Sequence, residues 1–236
     1  EPEFKYVSTM HGDEPVGTEL CLYLIDHLLA NYGSDQDITD LVDSTEIWIV
    51  PLMNPDGLEA GTRYNAQGYD LNRTFPHYGI DFDGTIYDGA PLSTTGRPPE
   101  VAVVMAWTME NSFVLSANLH TGSLLVNYPY DEDGLGAVDS PTPDDALFEV
   151  ISLRYSQENP PMYASTLFDY GITNGAAWYT VYGGMQDWNY RYVSCNEVTI
   201  ELSNTKRPAE STLPGLWEDN REAMLAYMAS VHMGVR

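Results

Sequence analysis

His11 and Glu14 stand three residues apart near the start of the chain, and His120 lies in a separate apolar segment. Two imidazole nitrogens and one carboxylate oxygen can bind Zn²⁺ tetrahedrally and leave a fourth position for water, as catalytic zinc sites do. A plainer interpretation is that His11 caps a strand over residues 3–10 and that Glu14 occupies the first turn of the next helix. A lone His-x-x-Glu favours the plainer interpretation, because so short a pattern occurs by chance in any long chain.

The elements that would position these side chains alternate between strands and helices. Apolar and β-branched runs predict strands over residues 3–10, 45–53, 113–120, 123–128 and 196–202. Residues 15–32, 99–110, 144–158 and 217–232 are predicted to be helices. This alternation predicts a three-layer α/β domain whose mixed, mostly parallel twisted central sheet is flanked by helices. No repeat or linker divides the chain, so we expect one domain over residues 1–236.

Four polar side chains fall at the ends of predicted strands. They are His11, Asn54, His120 and Glu201. Active sites of open α/β sheets collect at the carboxyl ends of strands, so we expect these side chains to converge on one crevice. Residues 57–98 are rich in Gly, Tyr, Asp and Pro with little periodicity, and a loop of that length is usually functional.

Composition excludes some classes of function. The net charge is −25 and the chain has only 10 Lys and Arg residues, which argues against nucleic-acid binding. An acidic surface favours solubility at high salt or the attraction of basic substrates. No apolar run reaches the ~18–20 residues that a membrane span needs. Cys21 and Cys195 match no metal-binding spacing, and we expect both to be buried thiols.

Six ordered motifs give the His-x-x-Glu pattern its weight, within a similarity that runs from about residue 2 to the end of the chain. The chain resembles the zinc metallocarboxypeptidases, and most of all the regulatory branch that includes carboxypeptidases D, E, M and N. The motifs are HGDEPVG (11–17), NPDG (54–57), GTRYNAQGYDLNRTFP (61–76), SANLHTGSLLVNYPYD (116–131), GITNGAAWYTVYGGMQDWNY (171–190) and NEVTIELSNTKRP (196–208).

The resemblance implies a catalytic zinc site with one Zn²⁺ per chain. His11, Glu14 and His120 match the zinc ligands of the family, and Glu201 matches its general base. A carboxylate beside an activated water can accept its proton and later protonate the leaving amine. Arg63 matches the arginine that stabilises the developing oxyanion, a role suited to a fixed positive charge.

The resemblance also implies a substrate: the C-terminus of a peptide or protein. Asn72 and Arg73 match the family's contacts to the terminal carboxylate, and Tyr179 matches the mobile tyrosine that closes over it. Asp131 and Gln186 match positions that line the S1′ pocket in the branch that removes C-terminal Arg or Lys. Such an enzyme is expected to be secreted or periplasmic.

Some features depart from the family pattern. Asp13 stands where Asn is usual, Thr121 where a second Gly is usual, and Ser203 where animal members often have a cysteine. The family's N-terminal helix and edge hairpin, and its C-terminal β-sandwich, have no counterpart here, so we expect part of the native chain to be missing and sheet edges to be exposed.

Two other functions compete with an active peptidase. One is a catalytically silent peptide-binding module, which the retained ligands, Glu201 and Arg73 disfavour. The other is a zinc amidohydrolase that removes an acyl group, which the peptidase-type motifs NGAAWY and GGMQDWNY disfavour. The remaining histidines, His27, His77 and His232, are expected on helix surfaces or in loops.

Overall fold

A central sheet of six strands carries the residues singled out above. A computed structural model describes residues 1–77 and 91–234. The strands are β1 (Glu3–Ser8), β2 (Glu46–Val50), β3 (Phe113–His120), β4 (Ser123–Tyr128), β5 (Ile172–Asn174) and β6 (Asn196–Ser203). Their order in the sheet is β2-β1-β3-β6-β4-β5, and only the β4–β6 pair is antiparallel. The predicted mixed, mostly parallel sheet is therefore confirmed.

Helices cover both faces of this sheet within the described residues. They are α1 (Val16–Asn31), α2 (Gln36–Ser44), α3 (Pro55–Ala60), α4 (Pro99–Glu110), α5 (Asp145–Gln157), α6 (Pro160–Tyr163), α7 (Gly175–Trp178), α8 (Met185–Val193) and α9 (Leu213–Ala229). Apolar side chains of α1, α2, α5 and α9 form one core against the sheet, around Phe4 and Tyr6. A second core around Val7 and Trp188 joins α4 and α8 to the opposite face. Because successive strand residues point to opposite faces, Tyr6 and Val7 serve different cores.

The predicted elements differ from the observed ones mainly at their ends. The strand predicted over 3–10 ends at Ser8, and the next residue, Thr9, has a φ of 51°. The helix predicted over 217–232 begins earlier, at Leu213, and becomes a 3₁₀ turn from Ser230 to Met233. Helices α2, α6, α7 and α8 and strand β5 were not predicted. Helix α2 is short and acidic, and its start depends on Asp35 accepting hydrogen bonds from the N–H groups of Asp37 and Ile38.

The loop predicted over residues 57–98 contains regular structure. Helix α3 extends to Ala60, and a 3₁₀ turn spans Leu71–Arg73. The side chain of Asp70 starts this turn by accepting a hydrogen bond from the N–H of Asn72. Residues 78–90 lie outside the described part of the chain. Among the described residues, no helix has the length and apolar character that crossing a membrane requires.

Candidate zinc site and substrate pocket

Strand ends bring the predicted ligands together. His11 lies three residues beyond β1, while His120 is the last residue of β3 and pairs in register with Glu201 of β6. Asn54 was also predicted to converge on this crevice, but its side chain instead hydrogen-bonds the loop that carries His11. Its Nδ2 donates to the carbonyl of Met10 at 3.1 Å, and it does not line the pocket that the other three share.

The side chains of His11, Glu14 and His120 are each about 3% exposed and face a common point. His11 Nδ1 lies 3.2 Å from Glu14 Oε1, His120 Nδ1 lies 2.9 Å from Glu14 Oε2, and the two Nδ1 atoms are 3.0 Å apart. Zn²⁺ bonds of roughly 2.0–2.2 Å in a tetrahedral site separate ligand atoms by about 3.3–3.6 Å, so a small outward movement suffices. Among the described residues, no other His, Cys, Asp and Glu side chains form a comparable group.

The protonation states of this group also suit a metal. Burial lowers the pKa of His120 to about 4, which leaves the imidazole neutral near pH 7. Burial by itself would raise the pKa of Glu14, but close contacts with the His11 and His120 side chains hold it well below its usual range. Neutral imidazoles and an ionised carboxylate are the forms that bind a metal cation. The residues present therefore fit zinc.

Asp70 supports this group, and sequence reasoning missed its role. Its Oδ1 accepts from His11 Nε2 at 3.1 Å, which turns the Nδ1 lone pair towards the metal position. Its Oδ2 accepts from Arg63 Nε at 2.7 Å. Arg63 in turn reaches the same site, with NH1 3.1 Å from His11 Nδ1 and 3.4 Å from Glu14 Oε1. The only signal in the sequence was an acid directly before Leu-Asn-Arg.

Glu201 faces the metal position from β6. It is 8% exposed, and its Oε2 has no hydrogen-bond partner among the described residues. Burial, together with the charge of Glu14, raises the pKa of Glu201 to about 8. A buried carboxyl group with a raised pKa can both accept and release a proton near neutral pH.

Asn72, Arg73 and Tyr179 line the same pocket as His11, Glu14 and His120. The Oδ1 of Asn72 accepts from the N–H of Met185 at 2.9 Å, so its NH₂ group can donate to a substrate. Arg73 NH1 donates to the carbonyl of Asn72 at 2.8 Å. Tyr179 follows α7 and is 42% exposed, which leaves its ring room to move.

Asp131 lies in the wall of this pocket and is buried. Burial, followed by the charge of Asp187, raises the pKa of Asp131 well above its usual range. Gln186 lies behind it: Nε2 donates to Asp131 Oδ1 at 2.8 Å, and Gln186 itself is not among the lining residues. The predicted pocket contact of Gln186 is therefore indirect in this structure. Sequence reasoning did not identify several other lining residues, namely Asn127, Gly175, Trp178, Val181 and Thr199.

Asp13 and Thr121, which depart from the family pattern, both make hydrogen bonds beside Glu14. Asp13 accepts from Lys206 Nζ at 3.0 Å, and the same ammonium group lies 2.9 Å from Glu14 Oε1. The N–H of Thr121 donates to Glu14 Oε2 at 3.1 Å, and its hydroxyl donates to the carbonyl of Lys206. Ser203 is the last residue of β6, and its Oγ accepts from the N–H of Thr205 at 3.2 Å.

The other histidines and the cysteines lie away from the pocket. His27 is on α1, His77 contacts Glu132 and His232 contacts Thr45. Both thiols are free and buried, as predicted, and burial raises the pKa of Cys21 to about 12 and that of Cys195 to about 11.

Comparison with known proteins agrees with this architecture. The family model described as zinc carboxypeptidase matches residues 1–223. Human carboxypeptidase D is 48% identical over 255 aligned residues, covering 100% of this chain and 18% of that protein. Mouse carboxypeptidase M is 43% identical and covers 100% of this chain and 55% of its own length. The chain belongs to the zinc carboxypeptidase family, which implies zinc as its metal.

Solved structures support the same fold. The crystal structure of thrombin activatable fibrinolysis inhibitor matches with a TM-score of 0.79 at 20% identity, covering 100% of this chain and 63% of that chain. Carboxypeptidase A from Helicoverpa armigera matches with a TM-score of 0.75 at 19% identity, covering 99% and 62%. The chain therefore has the α/β fold of these carboxypeptidases, while it spans about a fifth of the length of the carboxypeptidase D relatives.

Proposed function

We propose that this chain is a zinc-dependent metallocarboxypeptidase that hydrolyses the C-terminal peptide bond and prefers substrates ending in Arg or Lys. The observation that carries the proposal is one pocket lined by three metal-ligating side chains, a buried base, two arginines and a buried aspartate. Membership of the zinc carboxypeptidase family supports it. We propose one zinc per chain, bound by His11, Glu14 and His120.

Hydrolysis requires a base, an acid and a stabilised oxyanion. When bound, zinc would act as a Lewis acid and lower the pKa of a water molecule. Glu201 accepts a proton at its carboxylate from the attacking water and then donates it to the leaving amine nitrogen. Arg63, whose side chain is 26% exposed, is held by Asp70 so that its guanidinium can stabilise negative charge on the scissile carbonyl oxygen.

An exopeptidase must recognise a free terminal carboxylate. Arg73 can pair with that carboxylate, Asn72 can donate a further hydrogen bond, and Tyr179 can close over the bound end. Amidation removes the negative charge of the carboxylate, so amidated peptides should resist cleavage while their free acids are cut. Efficient cleavage of amidated peptides would show that Asn72, Arg73 and Tyr179 have another role.

The preference for basic ends rests on Asp131. A bound ammonium or guanidinium group would stabilise the ionised form of Asp131, whose pKa is raised by burial, whereas an apolar side chain would leave this buried acid without a cationic partner. Gln186 orients the carboxylate through its 2.8 Å hydrogen bond. The net charge of −25 further favours the approach of basic peptides.

One experiment tests the whole proposal: rates on matched peptides ending in Arg, Lys, Phe and Glu, with and without a chelator. We expect Arg and Lys ends to be cut fastest, chelation to abolish cleavage and added zinc to restore it. Metal analysis should find about one zinc per chain, and His120→Ala should lose it. Chelator-resistant cleavage would refute the metal role, and equal rates on Phe and Arg ends would refute the pocket assignment alone.

Two alternatives predict different outcomes in the same assay. A silent peptide-binding module would bind zinc and peptides without turnover, and an amidohydrolase would release an acyl group from an amino acid. The partners we propose are peptide and protein C-termini, with no nucleic acid. A secreted or periplasmic location stays a prediction.

A further inference from the structure

The backbone around Asp131 is held by hydrogen bonds from outside its own loop. Its N–H donates to Asp187 Oδ1 at 2.8 Å, and the next N–H, of Glu132, donates to Asp187 Oδ2 at 3.3 Å. Its carbonyl accepts from the N–H of Val181 at 3.1 Å. Both oxygens of one carboxylate thus bind two successive amides of the segment that carries the pocket aspartate.

Asp187 itself does not line the pocket. It lies in the first turn of α8, directly after Gln186, and is 6% exposed. One simple explanation for an acid at this position is that it stabilises the N-terminus of the helix and has no other role. Its oxygens, however, accept from the Asp131 segment, and Arg191, one turn later in α8, donates to the carbonyl of Glu132 at 2.6 Å. Two residues of α8, Asp187 and Arg191, therefore hydrogen-bond the backbone of residues 131–132, one to its N–H groups and the other to a C=O group.

The Asp131 carboxylate lies close to the backbone of two glycines. A Cβ atom added to Gly175 would lie 2.1 Å from Asp131 Oδ1, and one added to Gly184 would lie 3.0 Å from Oδ2. The carboxylate therefore rests against two glycine backbones that leave no space for a side chain. A side chain at either glycine would therefore displace the Asp131 carboxylate.

We propose that Asp187 is a positioning residue for substrate selection: by holding the backbone amides of Asp131 and Glu132, it places the Asp131 carboxylate where a basic substrate side chain is bound. This inference rests on the proposed function, since it concerns the same pocket. Asp187 does not line the pocket, so it acts through Asp131. Replacing Asp187 should therefore change the ratio of kcat/KM values for Arg-ended and Phe-ended peptides more than it changes the rate of the chemical step.

Asp187→Asn in the full chain tests the proposal, because the amide keeps the size of the side chain but replaces one acceptor oxygen with a donor. That NH₂ group would face a backbone N–H. We expect kcat/KM for an Arg-ended peptide to fall by roughly 10–100-fold, mainly through KM, because a buried backbone N–H of the Asp131 segment loses its hydrogen-bond acceptor. For the matched Phe-ended peptide, we expect a change within about threefold.

Glu197→Gln is the matched control. Glu197 is another fully buried acid, it accepts hydrogen bonds from Ser116, Asn118 and Asn189, and it lines no part of the pocket. Its amide variant should lose stability while the ratio of Arg to Phe cleavage stays at the wild-type value. Equal losses on both substrates in Asp187→Asn, or an unchanged ratio, would overturn the positioning role.

Amide hydrogen exchange in the wild-type chain gives a second test that does not depend on a folded variant. The N–H groups of Asp131 and Glu132 should exchange more slowly than that of the exposed Gly134 in the same loop. Exchange of all three at similar rates would overturn the proposal. A wild-type enzyme that does not favour Arg over Phe would instead refute the basic-end function, and this inference with it.

Discussion

Asp70→Asn is the sharpest test of how the site is held, because Asp70 joins His11, a proposed metal ligand, to Arg63, the proposed oxyanion-stabilising residue. Oδ1 accepts from His11 Nε2 at 3.1 Å and from the N–H of Asn72 at 3.0 Å, and Oδ2 accepts from Arg63 Nε at 2.7 Å. In the variant, the amide oxygen can keep the two contacts of Oδ1. The NH₂ group then faces Arg63 Nε, which is itself a donor.

The expected loss follows from that one contact. A charge-assisted hydrogen bond contributes about 1.5–3 kcal/mol. Since each 1.36 kcal/mol corresponds to a factor of ten in rate, kcat should fall by roughly 10–150-fold. KM should change little, because Arg63 acts on charge that develops in the transition state. Zinc should stay bound, with an affinity up to ~100-fold weaker, as for other supporting contacts of metal ligands.

Steady-state kinetics on an Arg-ended peptide, with zinc measured in the same samples, provides the assay. Asp13→Asn is the matched control, since it removes one negative charge next to Glu14 but contacts Lys206 instead of Arg63. Its kcat should stay within about threefold of wild type, because the Asp13–Lys206 pair is partly exposed. A zinc-loaded Asp70→Asn enzyme with kcat within twofold of wild type would refute the reasoning.

Further predictions concern the base, the pocket and pH. Glu201→Gln should retain zinc and lose turnover by ~10²–10⁴-fold, because the proton acceptor is removed; near-normal turnover would exclude Glu201 as the base. Asp131→Ala should lower kcat/KM mainly for Arg and Lys ends and narrow the gap to Phe ends, and parallel losses on all substrates would contradict the pocket assignment. Burial raises the pKa of Asp187 to about 7, so the folded state keeps a proton that the unfolded state releases near pH 4. The contribution of Asp187 to the free energy of unfolding should therefore decrease as the pH rises from about 4 to 7. Denaturant unfolding of zinc-free protein at pH 5 and 7 should show a smaller decline in Asp187→Asn than in wild type, and identical declines would mean that Asp187 titrates normally.

The sequence by itself determined the fold class and the residues to examine. Strand and helix periodicities are local, so Phe113–His120 and Pro99–Glu110 were predicted with their observed ends. The ordered motifs identified His11, Glu14 and His120, which the structure brings within 3.2 Å of one another. The roles of these residues stay predictions, but their convergence follows from parallel strands that end at one edge of the sheet.

Only the tertiary structure decided which residues support that site. Asp70 contacts His11 across 59 positions of sequence, and Asp187 contacts Asp131 across 56. The same packing put Gln186 behind Asp131 and Asn54 behind the His11 loop. Periodicity describes which face of an element is buried, but it does not specify the partner on another element. A hydrogen bond between distant segments depends on how helices and loops pack against the sheet, and that packing is a property of the whole folded chain.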